Sequence, residues 1–175
     1  LPGGSRDNVD SQNVSGTLAH SYGADGEGTL LLSDTGAPNG FNYSLNGDST
    51  VLTISQNGTD VIQVTLSDTT SGDYTVTQLA PVDHSLGGRE NNQVFNINYA
   101  VTDNDGDTLD GQLRINVDDD TPTVSRNALV RLDDDALPGG NPGGSRDNVD
   151  SQNATGTLAH SYGADGEGTL LLSDT

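Results

Sequence analysis

Apolar and polar residues alternate in short runs along most of the chain, and no window carries a 3.6-residue period. Val51-Leu-Thr-Ile-Ser-Gln and Val61-Ile-Gln-Val-Thr-Leu flank Asn57-Gly58, the dipeptide best suited to the two left-handed positions of a tight hairpin. Asn39-Gly40 and Asn46-Gly47 mark two more turns. Tyr74-Thr-Val-Thr-Gln-Leu reads as a strand, as does Val94-Phe-Asn-Ile-Asn-Tyr-Ala-Val, with Phe95, Ile97, Tyr99 and Val101 on one face. In 112–117, Leu113, Ile115 and Val117 point inward and Arg114 and Asn116 toward water. Residues 16–20, 28–32 and 124–132 complete the expected set. About eight short strands separated by turn signals imply an all-β fold, an immunoglobulin-like antiparallel β-sandwich. With no Cys and no Trp, the chain lacks the antibody core signature, and the pattern alone carries this assignment.

A long internal repeat sets the organisation. Residues 2–35 recur as 142–175, an offset of 140, and differ only where Val14 becomes Ala154 and Ser15 becomes Thr155. Such a period is too long for a solenoid and fits a string of whole domains. The expected boundary lies near Asp118-Asp-Asp-Thr-Pro122, where three acids and a proline end a strand-like run. Residues 1–120 then form most of one unit without its first strand, and 121–175 open the next. Both copies would compete for one place on one body. One is expected to pack against 36–120, while the other frays, packs separately or is exchanged into a neighbouring molecule.

Composition adds a constraint on folding. The chain holds 23 Asp, 3 Glu, 6 Arg and no Lys, for a formal charge of −20. So acidic a surface excludes ordinary nucleic-acid binding, which needs cations against phosphate. No run is apolar enough for a membrane span, and the first residues lack the basic head and apolar stretch of a signal peptide. The absence of Cys removes disulfides and thiol chemistry. Low hydrophobicity with high charge would suit disorder, but the acids cluster in loops while the strands between them are nearly uncharged. A folded chain of this kind points to divalent cations that offset the repulsion.

Asp103-Asn-Asp-Gly-Asp107, with Asp110 nearby, is the strongest candidate. Alternating acids around a glycine suit the six to eight oxygen ligands of Ca²⁺. An EF-hand is excluded, because Arg114 stands where a bidentate Glu is needed and no helices flank the loop. The plainer alternative is an acidic hairpin loop. Asp118, Asp119 and Asp120 end one unit, and Asp133, Asp134 and Asp135 lie shortly into the next. The two triplets either share an ion at the junction or form a solubilising linker. Glu90 is a minor candidate ligand in the loop of residues 81–92, where Asp83-His84 reads as structural because no nucleophile accompanies it. Gly23-Ala-Asp-Gly-Glu-Gly reads as a turn carrying Asp25 and Glu27, not as a phosphate cradle.

Taken in order, Gly16-Thr-Leu, Gly23-Ala-Asp-Gly, Tyr74-Thr-Val-Thr-Gln-Leu-Ala-Pro-Val-Asp-His, Tyr99-Ala-Val-Thr-Asp-Asn-Asp-Gly-Asp-Thr, Val117-Asp-Asp-Asp-Thr-Pro and Leu132-Asp-Asp-Asp-Ala-Leu-Pro-Gly-Gly resemble one family. It is the long repeat of giant RTX-type bacterial adhesins and agglutination proteins exported by type I secretion. The resemblance spans the whole 140-residue unit. It implies an extracellular, non-catalytic extender domain whose partners are neighbouring identical repeats, with Ca²⁺ stiffening the domains or their junctions. The acids at 103–107, 118–120 and 133–135 are the ligands it suggests. A calcium-dependent carbohydrate- or surface-binding module is the alternative.

Overall fold

The computed structural model describes residues 11–84, 91–141, 143–144 and 152–173. Ten strands occur among them: β1 Asn13–Thr17, β2 Thr29–Leu32, β3 Phe41–Leu45, β4 Val51–Gln56, β5 Thr59–Leu66, β6 Asp73–Gln78, β7 Gln93–Thr102, β8 Thr108–Val117, β9 Thr123–Val124 and β10 His160–Ser161. A single 3₁₀ turn, Asp134–Ala136, is the only helical element among the described residues. No described helix is long and apolar enough to cross a membrane.

Two antiparallel sheets form the body, one in the order β1-β6-β5-β4-β3 and the other β2-β7-β8. Chain neighbours β1 and β2, β2 and β3, and β6 and β7 fall in opposite sheets, so the chain crosses between layers three times. This is the all-β, immunoglobulin-like sandwich that the alternation implies. Its core takes Leu52, Ile54, Val64 and Leu66 from the first sheet and Leu30, Leu32, Phe95, Ile97, Tyr99 and Val117 from the second. The Phe41 ring meets Phe95 edge-on, with centroids 4.8 Å apart.

The β4–β5 hairpin turns at Asn57 and Gly58, whose φ values are 51° and 83°. Positive φ at both positions matches the twist of the flanking strands. The register then slips between Ile54 and Ser55. This bulge breaks the alternation, so consecutive Val61 and Ile62 are both buried. The Val61 carbonyl accepts from the backbone N–H of Leu79 and of Ala80, joining β5 to the end of β6.

Two expected strands differ from those observed, and one observed strand was not expected. β3 fills the interval between the Asn39-Gly40 and Asn46-Gly47 turns, to which the pattern assigns no strand. Asn46 makes that strand possible, because its Oδ1 accepts from the backbone N–H of Thr50 and Val51, both at 2.9 Å, and closes the turn. The expected strand at 16–20 lies earlier, at 13–17. There the two ring nitrogens of His20 lie 2.8 Å from the Leu18 carbonyl and 3.1 Å from that of Thr70, where the chain leaves the sheet. The expected strand at 124–132 shrinks to Thr123–Val124. The Asn127 side chain takes the Ala159 N–H at 2.7 Å, and Leu129, Val130 and Leu132 remain exposed. A side chain has replaced the backbone partner that would have continued the ladder.

The duplicated segment takes two tertiary environments. In the first copy Leu18, Leu30 and Leu32 enter the core, and Leu30 is 0% exposed. In the second copy Leu172 is 89% exposed, and its strand content is β10 paired with β9. Burying one such leucine is worth about 1.5–3 kcal/mol, and the two copies offer the same leucines. Energy of burial from these leucines therefore cannot choose between them. Local geometry is nonetheless kept. His20 and Tyr22 stack edge-on at 5.1 Å, and His160 and Tyr162 repeat the contact at 4.9 Å. The histidine Nδ1 lies 2.8 Å from the Leu18 carbonyl in one copy and 2.7 Å from that of Leu158 in the other.

Candidate metal centre

The loop Asp103–Asp107 joins the two longest strands, β7 and β8, whose ladder closes at Thr102 opposite Thr108. Asp103 organises it from within. Its Oδ1 accepts from the backbone N–H of Gly106 at 3.1 Å and of Asp107 at 2.9 Å. Its own N–H donates to the Asp107 carbonyl at 3.0 Å. Gly106 supplies the left-handed corner, with φ 102°. The same sequence pattern that suggests a metal loop thus first makes a self-supporting turn.

A second loop lies against it. The connection from β1 to β2 carries Gly23-Ala-Asp-Gly-Glu-Gly28, and the Gly26 carbonyl accepts from the Asn104 N–H at 3.3 Å. Gly28 sits so close to the Thr102 carbonyl and the Asp103 backbone that any Cβ there would overlap them. This approach brings Asp25 into reach. Among the described residues, Asp25, Asp103 and Asp105 form the group of acids whose oxygens lie within 4.8 Å of one another.

Charge crowding is visible within the site. The Asp105 side chain holds the Asp103 carboxyl below the ordinary carboxylate value, with backbone N–H groups of Asp107 and Gly106 adding to the effect. The same hydrogen bond and the Asp103 charge push Asp105 above it. Two carboxylates this close repel until something else neutralises them. A divalent cation can do that. Three carboxylates would leave roughly three to five positions of a Ca²⁺ shell for carbonyls and water.

A groove of about 200 Å³ opens beside the acids, bordered by His20, Tyr22, Tyr99, Asp103, Asp107 and Asp110. Residues 3–116 match the family described as Domain of unknown function (DUF5801). The chain belongs to this family. The DUF5801 span ends one residue short of the end of β8 and so includes Asp25 and the whole acidic loop, while β9 and the second copy lie beyond it. No curated protein and no solved structure matches the chain.

The remaining sequence candidates have other places. Asp107 lines the groove and gives its N–H to Asp103. Asp118 is half-buried at the end of β8. Asp119 accepts from the Asn91 N–H at 3.1 Å, and Asp120 from the Ala164 N–H at 2.7 Å. Asp165, the second-copy counterpart of Asp25, has its carboxyl raised by burial and by the Asp119 and Asp120 charges, against the opposing His84. Asp133 caps the short turn formed by Asp134, Asp135 and Ala136, accepting from the Asp135 N–H. Neither triplet joins the convergent group of acids. Glu90 lies outside the described residues. Asp83 clamps the β4–β5 hairpin through Gln56 and Asn57.

Asp25 is the functional candidate that the sequence reading missed. Its loop announces only a turn; the crossover that carries β1 into the other sheet at β2 is what delivers it to Asp103. The short Gly spacing around Asp25 was the available signal, since a glycine that tolerates no Cβ marks close approach of another backbone.

Proposed function

We propose that this chain is a calcium-stabilised structural repeat of an extracellular bacterial adhesin of the RTX type, exported by type I secretion and acting mechanically, without catalysis. The observation that carries the reading is the convergence of Asp25, Asp103 and Asp105 from two loops that meet at one end of the β2-β7-β8 sheet. Ca²⁺ bound there ties the β1–β2 connection to the β7–β8 hairpin. It offsets the repulsion between Asp103 and Asp105 and relieves the local share of a −20 charge. The 140-residue repeat supports a tandem array in which each unit spaces a distal adhesive domain from the cell. Hard oxygen ligands at an exposed loop favour Ca²⁺ over softer metals.

The test is thermal unfolding of the chain in calcium and in chelator. Stabilisation should grow with calcium and reach about 2.7 kcal/mol at roughly a hundredfold excess over the dissociation constant. Asp103→Asn with Asp105→Asn should abolish the calcium response. An unchanged melting temperature on chelation would overturn the reading.

A second reading is calcium-bridged carbohydrate binding, favoured by the groove in which Tyr22 lies beside the acids. Glycan binding that needs both calcium and Tyr22 would select it over the mechanical role.

A further inference from the structure

The first copy holds its place through two pairings, β1 with β6 and β2 with β7. Among the described strands each of the two ends its sheet, and β3–β6 and β7–β8 remain paired without them. A segment placed in this way can be exchanged without unthreading the rest of the body.

The place is selective. A Cβ at Gly16 would overlap the Tyr74 ring, and one at Gly28 would overlap the Thr102 carbonyl. Leu18, Leu30 and Leu32 must fill the core. The second copy meets each demand, with Gly156, Gly168, Leu158, Leu170 and Leu172 at the same offset of 140. Its two differences fall where the body leaves latitude. Val14 is 49% exposed. Ser15 is exposed, with its hydroxyl 3.2 Å from that of Thr75, a contact that the Thr155 hydroxyl can repeat.

Elsewhere the second copy is held by short-range ties. β10 pairs two residues with β9, Ala159 bonds Ser125 and Asn127, and Asp120 takes the Ala164 N–H. A first copy displaced from the body carries the same residues for these bonds. Residues 118–152 lend the second copy 35 residues of chain, an extended reach of more than about 100 Å. A body of this size has a radius of gyration of roughly 13 Å. Connector length then sets the preference. Eight residues, 33–40, tie the first copy to β3, against 35 for the second. Loop closure, weakening as the three-halves power of length, favours the first copy about tenfold.

We propose that the place of β1 and β2 on the body accepts either copy, so that residues 153–172 of the same chain stand in for 13–32 in about one molecule in ten. In that form Asp165 takes the position of Asp25, and residues 118–152 close into a loop while the first copy is released. Calcium is not required for the exchange.

Cysteine is absent, so the occupant can be read by disulfide trapping. Leu18 donates to the Gly72 carbonyl and Gln78 to that of Gln12, so Ser15 and Thr75 form a non-hydrogen-bonded pair. Such pairs are the closer kind and lie within reach of a disulfide. The full-length chain with Thr75→Cys and Thr155→Cys, equilibrated and then briefly oxidised at low concentration, should link about a tenth of its molecules internally, read by peptide mapping. Ser15→Cys with Thr75→Cys should link nearly all, which also verifies that the body is intact. Adding Leu32→Ala weakens the first copy and should raise the 75–155 yield several-fold, whereas adding Leu172→Ala instead should lower it several-fold. Ala154→Cys in place of Thr155→Cys, on the opposite face of the strand, should link several-fold less. Absence of an internal 75–155 link, equal yields from positions 154 and 155, or a yield unmoved by Leu172→Ala would overturn the proposal. Links formed only between molecules would overturn the same chain as the source of the second copy.

Discussion

The hydroxyl of Tyr99 donates to the carbonyl of Ala19 at 2.9 Å, fastening the β7 strand to the chain that leaves β1. The counterpart carbonyl, Ala159, accepts from Ser125 instead. This bond marks which copy has docked. Tyr99→Phe keeps the ring and removes the donor, and should lower stability by about 1 kcal/mol, read as a lower denaturant midpoint at unchanged slope.

Gly111 faces Tyr99 across the β7–β8 ladder, and a Cβ at Gly111 would overlap the ring. Gly16 stands in the same relation to Tyr74 in the other sheet. Each ring lies over a glycine that leaves room for it. Gly111→Ala should cost about 1–3 kcal/mol by forcing the buried Tyr99 out of place, measured by chemical unfolding. The same change at exposed Gly47, where a Cβ meets nothing within 4 Å, should cost far less.

Acidity should act on Asp105 with opposite sign in the two states. Without an ion, the raised Asp105 carboxyl favours the fold below its folded value, and that contribution is lost as pH rises through it. With Ca²⁺, both carboxylates must be ionised, so the calcium-dependent gain should shrink as pH falls through the raised Asp105 value. Melting temperatures with and without calcium, measured from neutral pH down to about 4, should converge at the acid end.

Identical leucines should differ in protection. Leu30 and Leu32 are buried, while their counterparts Leu170 and Leu172 are exposed. Brief digestion with a protease that cuts beside leucine should cleave within 170–172 before 30–32, read by mass spectrometry. Equal cleavage would contradict the difference between the copies.

Interrupting the tie between Asp120 and Ala164 tests how the second copy is held. Asp120→Ala should speed amide hydrogen exchange at Ala164 while leaving Ile97, in the centre of the body, unchanged. That separation shows whether the contact serves the second copy or the body.

The β4–β5 hairpin was legible where alternation met Asn57-Gly58, and the buried face of β7 follows the pattern, whereas β3 was missed although turn dipeptides bound it on both sides. Alternation could not announce the bulge that buries Val61 and Ile62 together, because the extra residue belongs to a pairing and not to a single strand. Nor could it foresee that Asn127 would end the ladder at Val124. For the site, local spacing exposed Asp103 and Asp105, whose turn is built from its own residues. Asp25 needed the crossover between sheets, a relation between distant segments that no local pattern carries.

The matched geometry of Leu18–Tyr22 and Leu158–Tyr162 has a consequence for assembly in time. Both segments can adopt their bends before meeting a sheet, so each arrives ready-shaped for the same vacancy. Which one takes it is then decided by order of arrival. A chain made from its first residue onward offers the earlier segment to the body first, whereas refolding from denaturant offers both together, and near-identical neighbours are prone to misassembly. Refolded and freshly synthesised protein can therefore differ in the segment they enclose while sharing one sequence and one fold.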